Sequence, residues 1–247
     1  MKRLAVLAVA AAGLTLAGTA FATHSWGGYH WARTSNPFTL KLGDNLSPSW
    51  RPYLATTSSD WSVSTVLDTT VVAGSSSKKR CGAVSGRVEV CNGSYGNNGW
   101  LGVAQIWLSG GHISQGTVKL NDTYFNLAQY NNPAEKNHVM CQEVGHTLGL
   151  DHQSTTGESL NTCMDYSSSL SSQHPNAHDY EELGIIYAHL DSTTTVSTAV
   201  ANGPGKGKAQ KVRDDLWVED LGNGVKRFTF VTWVNRGVTH EAPAVDD

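Results

Sequence analysis

Hydrophobic and polar positions alternate in short runs through the first half of this chain and recur at helical spacing further on. Phe38-Thr39-Leu40-Lys41-Leu42 alternates as a half-buried strand does. Further strands are expected at Thr69 to Ala73, Arg87 to Cys91, Val103 to Leu108 and Thr117 to Asn121. Pro48 to Ser64 carries Trp50, Leu54 and Trp61 on a face suited to a helix packed against those strands. Asn92-Gly93, Asn97-Asn98-Gly99 and Gly110-Gly111 punctuate the strands as turns.

A helix start is legible at Asn132, a capping residue followed by Pro133 at the first helical position and Glu135 where a capping box places it. A later helix is expected from Ala177 to His189, where Tyr180, Leu183, Ile186, Tyr187 and Leu190 recur at helical spacing. From Asp191 the composition turns to Ser and Thr, then to Gly203-Pro204-Gly205-Lys206-Gly207-Lys208, a mobile linker by composition over residues 193–212. Beyond it, Leu216-Trp217-Val218 and Val225 to Val234 flank an Asn-Gly turn and predict a β-hairpin within residues 213–247. A lone hairpin is marginal in water, so Trp217, Phe228, Phe230 and Trp233 are expected to pack onto the body of residues 23–192. That body predicts an α/β (α+β) fold.

The first residues change the setting. Lys2-Arg3, the apolar run Leu4 to Leu16 and Ala20-Phe21-Ala22 form a secretory signal peptide over residues 1–22, too short to span a membrane. The expected product is secreted, extracellular or periplasmic, and monomeric. Losing Lys2 and Arg3 takes the formal charge from −3 to −5, which argues against nucleic acid as a partner. Four cysteines in an exported chain imply two disulfides, with three pairings open.

The candidate chemistry lies in Gln142-Glu143-Val144-Gly145-His146-Thr147-Leu148-Gly149-Leu150-Asp151-His152. Residues four apart share a helix face, so 142 and 146 can grip one ion while Glu143 reaches a water beside it. Gly149 is expected to end the helix in the left-handed conformation and return the chain so that His152 joins the ion.

Glu143, His146, Gly149 and His152 resemble the H-E-x-x-H-x-x-G-x-x-H signature of the metzincin zinc peptidases, with Gln142 where that signature has histidine. Cys163-Met164-Asp165-Tyr166 resembles their Met-turn, and Tyr166 matches a tyrosine that astacins and serralysins place near the metal. The resemblance implies a five-stranded mixed sheet, a C-terminal helix below the Met-turn and a cleft-lining edge strand at Thr117 to Asn121. It also implies Zn2+ as cofactor, Gln142, His146 and His152 as ligands, Glu143 as general base, Tyr166 as oxyanion donor and Met164 as floor. Protein or peptide substrates follow from it. Of the cysteine pairings, Cys81–Cys91 and Cys141–Cys163 are preferred, the second tying the active-site helix to its Met-turn for about 3 kcal/mol.

Gln142 leaves three readings open: ligation through its amide oxygen, an ion left to His146, His152 and Tyr166, or a site without catalysis. A non-catalytic binding or inhibitory scaffold is therefore the competitor to a peptidase. An aromatic-rich glycan binder is a third class. His138 is read as a solvent-facing or outer-layer histidine in preference to a ligand, and His174, His178 and His189 as surface or capping residues. Arg80-Cys81-Gly82 resembles a cysteine switch, against which Cys91 offers Cys81 a partner.

Overall fold

A computed structural model of the chain describes residues 24–199 and 207–234. The predicted leader, the Gly-Pro-Lys stretch at 200–206 and residues 235–247 lie outside the described residues. In order come β1 (His30–Trp31), β2 (Phe38–Asn45), α1 (Arg51–Trp61), β3 (Leu67–Ala73), β4 (Val88–Gly93), β5 (Trp100–Ser109), β6 (His112–Asn121) and α2 (Asp122–Phe125). They are followed by α3 (Pro133–Thr147), α4 (Ala177–Ile186), β7 (Gln210–Arg213), β8 (Leu216–Gly222) and β9 (Val225–Trp233).

The fold is mixed α/β around one nine-stranded sheet, ordered β3-β2-β4-β6-β5-β9-β8-β7, with β1 paired to β6. β3, β2, β4 and β6 are parallel, and from β5 onward each pairing is antiparallel. Strands were expected at the right places in the first half, but the sheet is larger than five strands because the short β1 and the three C-terminal strands also join it. Thr117 to Asn121 is also not an edge. It lies within β6, held between β4 and β5.

The C-terminal segment is part of the body. β9 pairs with β5 from Trp100↔Trp233 to Ser109↔Val225. Asn223 and Gly224 both have positive φ, the two-residue turn that matches strand twist. Leu216, Trp217, Phe230, Val231 and Trp233 are buried. Each such burial contributes roughly 1.5–3 kcal/mol, which holds the segment far more firmly than a free hairpin. Residues 193–199 are docked as well, Thr195 bonding to Ala32 and Ile113. Lys211 and Arg213 sit in β7 beside β8, so the C-terminal end of the stretch expected as a linker is a strand of the sheet.

α3 begins as its sequence dictates, with Asn132 Oδ1 accepting from the Glu135 amide at 2.8 Å and Pro133 in the first turn. It crosses the sheet at close range. A Cβ on Gly102 of β5 would meet Glu143 and Val139, and one on Gly145 would meet Met164 and Trp61. These two glycines let the helix settle onto β5 on one side and onto the 163–166 loop on the other. The core between sheet, α1, α3 and α4 includes Trp31, Trp50, Trp61, Leu40, Val144, Met164 and Leu183. Among the described residues no helix is long and apolar enough to cross a membrane.

Candidate functional site

Gln142, Glu143 and His146 occupy the last two turns of α3 and are fully buried. Gly149 has φ +104°, and Leu148 and Gly149 close the helix on Gly145 and His146 carbonyls. The chain then reverses as expected and returns His152 beside His146, ring centroids 4.6 Å apart and edge to face.

Each histidine has one nitrogen fixed. His146 Nδ1 lies 2.9 Å from the Leu150 carbonyl, which only accepts, so this nitrogen carries the hydrogen and leaves Nε2 as the lone-pair donor. His152 Nδ1 lies at ion-pair distance, 2.7 Å, from Asp215 Oδ2, and both nitrogens of the ring are buried without a well-aligned hydrogen bond among the described residues. Burial first, and then the neighbouring His152, push His146 down to about 3, so the ring is neutral near pH 7. A neutral ring is the form that can donate to a metal.

The 163–166 loop is tied to this hairpin. Gln153 N donates to Met164 O at 2.6 Å and Tyr166 N to Ser154 O at 2.8 Å. Met164 is buried against Gly145, and the Tyr166 ring lies 4.9 Å from that of His152. Cys141–Cys163 is bonded, linking α3 to the loop, and so is Cys81–Cys91. The second bond removes Cys81 from any switch role.

Gln142 is committed to structure. Its Nε2 donates to Cys163 O at 2.9 Å and Asp165 O at 2.8 Å, while its Oε1 accepts from the Thr232 hydroxyl at 2.6 Å. Donors thus meet acceptors on both sides of the amide. His138, one turn earlier, is buried, not solvent-facing, and sits 3.2 Å from the Asp165 carbonyl.

The C-terminal strands close over this site. Phe230 stacks on His146 at 4.3 Å with ring planes 12° apart. Thr232 Oγ1 is also 2.7 Å from Glu143 Oε1. The Tyr166 hydroxyl is 3.4 Å from Val231 O and accepts from Trp233 N at 3.1 Å. Arg213 clamps Asp151 through both guanidinium nitrogens and bonds Asp215 at 2.7 Å. Burial alone would raise the Asp215 carboxyl, but the contact with His152 and the Arg213 guanidinium hold it well below the usual carboxylate range. A cavity of about 200 Å³ opens between Thr155, Tyr166, Arg213 and Asp215.

The structure places His146, His152 and Tyr166 side by side, with Met164 against Gly145 and Glu143 beside Gln142 on α3, and turns Gln142 to hydrogen bonding. Among the described residues, two groups of three His or carboxylate donors lie within 4.8 Å of one another. They are Asp151/His152/Asp215 and His30/His189/Asp191, neither of which includes His146. Arg213, Asp215, Phe230 and Thr232 were not foreseen as parts of the site. Their only sequence signal was the aromatic content expected to pack the hairpin down, which names a surface but not its target. His174 is a surface histidine paired with Asp60 at 2.7 Å. Neither the protein-family models nor the curated proteins include a match to this chain.

Proposed function

We propose that this chain is a secreted metzincin-like zinc endopeptidase. The observation that carries this reading is the convergence of His146 and His152 with their Nδ1 atoms already fixed, by Leu150 O and Asp215, and with Glu143 on the same helix. A backbone carbonyl or carboxylate behind each imidazole is how metal-binding histidines are oriented. The buried, unpartnered His152 Nε2 fits a metal. Gln142 fits less well, because its oxygen joins an ion only if Thr232 gives up its hydrogen bond.

Zinc bound there would polarise a peptide carbonyl and acidify a water. Glu143 would take the water proton and pass it to the leaving amine. The Tyr166 hydroxyl, once turned from Val231 O, would donate to the developing oxyanion. His146 and His152 hold position, fixed from behind by Leu150 and Asp215.

A second reading, a non-catalytic binding or inhibitory scaffold, is favoured by one observation. β9 fills the outer edge of β5, laying Phe230 on His146 and Thr232 on Glu143. An extended peptide approaching the same residues would have to displace it.

The deciding experiment combines zinc analysis with peptide cleavage by the mature protein. Replacing His146 and His152 together should lower bound zinc by one ion per chain, and Glu143→Ala should abolish cleavage with zinc retained. Zinc lost on the histidine substitutions without any wild-type cleavage would establish the second reading. Unchanged zinc in a folded double variant would remove both histidines from metal binding.

A further inference from the structure

A second group of histidines gathers away from the Gln142 site. His112 opens β6, whereas Val118 lies six residues along it in register with Ala104 and, through β5, with Phe230. That separation is roughly 20 Å. His30 comes from β1, paired to His112 in the sheet, and His189 and Asp191 come from the segment after α4. Four donors from three distant stretches of chain thus meet at one end of the fold.

The donor atoms of this cluster converge as the ligands of a cation would. His30 Nδ1 is 2.9 Å from Gly28 O, so that nitrogen donates, and in the neutral ring Nε2 is a bare lone pair. This Nε2 faces His189 Nε2 at 3.2 Å and Asp191 Oδ2 at 3.4 Å. His189 Nε2 in turn lies 3.6 Å from Asp191 Oδ1. Two ring nitrogens and a carboxylate therefore converge on one point. An ion in the middle would engage all three residues at once.

The spacings match an ion of a particular kind. Zinc bonds of about 2.0–2.1 Å to nitrogen and oxygen in tetrahedral geometry put ligand atoms about 3.3 Å apart. Here the two imidazole nitrogens are 3.2 Å apart, the carboxylate approaches them through different oxygens (Oδ2 at 3.4 Å from His30, Oδ1 at 3.6 Å from His189), and one donor atom from each residue lies within 4.8 Å of the others. Two imidazoles and one carboxylate form a donor set suited to borderline divalent metals and poorly suited to calcium or magnesium. The supporting layer is in place too. Gly28 O orients His30, His112 Nε2 lies 3.2 Å from Asp191 Oδ1, and Arg33 holds Asp191 Oδ2 at 2.9 Å.

We propose that His30, His189 and Asp191 bind one zinc-class divalent ion, with His112 and Arg33 positioning the carboxylate. His30 and Asp191 are nearly buried, while the His189 side chain is 57% exposed, so the fourth position faces solvent. The site ties the segment after α4 to β1 and so acts on stability. It is independent of His146 and His152.

The test is zinc binding by the mature chain, measured by equilibrium dialysis and by the shift in thermal midpoint on adding Zn2+. His189→Ala is the primary variant, because an exposed side chain can be removed without opening the core. It should bind one zinc fewer per chain and lose part of the zinc-induced shift, and the loss should persist when His146 and His152 are also replaced. His112→Gln should keep the stoichiometry and weaken this ion by about 10–100-fold. If His189→Ala binds as much zinc as the parent, with the same affinities, the proposal is overturned. Loss of zinc on replacing His146 and His152, with the His189-dependent ion retained, bears on the other site alone.

Discussion

The Thr232 hydroxyl lies 2.7 Å from Glu143 Oε1, and the same hydroxyl is 2.6 Å from Gln142 Oε1. One hydrogen serves two oxygens from consecutive residues of α3, donated by a strand ninety residues away in sequence. Thr232→Val keeps the shape and deletes the hydroxyl. It should cost about 1–3 kcal/mol, because the buried Gln142 oxygen is left unsatisfied, and should lower the urea midpoint. The freed oxygen should also tighten zinc, read by competition with a chromophoric chelator.

Gln142→His tests the amide from the other side. One imidazole cannot donate to both the Cys163 and Asp165 carbonyls while accepting from Thr232, so the metal-free protein should lose about 1–3 kcal/mol. Zinc should bind more tightly than to the parent. Unfolding curves with and without chelator check both, and a gap that widens in the variant is the expected result.

Asp215 stands behind His152 at 2.7 Å, in the place a carboxylate takes behind a metal-bound imidazole. Asp215→Asn should weaken zinc at this site by about 10–100-fold. Asp151→Asn, which loosens Arg213 but leaves the Asp215 contact, should weaken it less. Affinities from competition titration of the two variants separate orientation of the ring from general loss of charge.

Gly145 should tolerate no side chain. Its Cβ would meet Met164 Sδ and Trp61, so Gly145→Ala overpacks the joint between α3 and the 163–166 loop and should cost about 1–3 kcal/mol in urea unfolding. Adding Met164→Ala makes room, and the double variant should be more stable than the summed single costs predict.

Much of the site was legible because its residues are local. Glu143, His146, Gly149 and His152 lie within three turns, and helix periodicity plus one positive φ suffices to bring them together. The Asn132 cap and the Asn223-Gly224 turn were legible for the same reason, since their chemistry is written in adjacent residues. What covers the site was not. The partner of β5 depends on which of several apolar strands reaches its edge, and alternation in Val225 to Val234 fixes a face but not a neighbour. Thr117 to Asn121 was assigned to an edge for want of that information, and the C-terminal strands were left outside the sheet. His189 is the surface residue its sequence suggested, but its neighbours His30 and His112 were not legible because they are distant in sequence.

The pairing of Ala104 with Phe230 imposes an order in time. A chain that emerges N-terminus first presents α3 and the 163–166 loop long before the strand that covers them, and contact between β5 and β9 closes a loop of roughly 125 residues. Until the last strands arrive, Phe230 is not yet on His146 and Asp215 not yet behind His152, and the apolar edge of β5 stands open. Until β8 and β9 have been made, the molecule therefore presents its most adhesive surface, and the long-range β5–β9 pairing is a slow kind of contact to form.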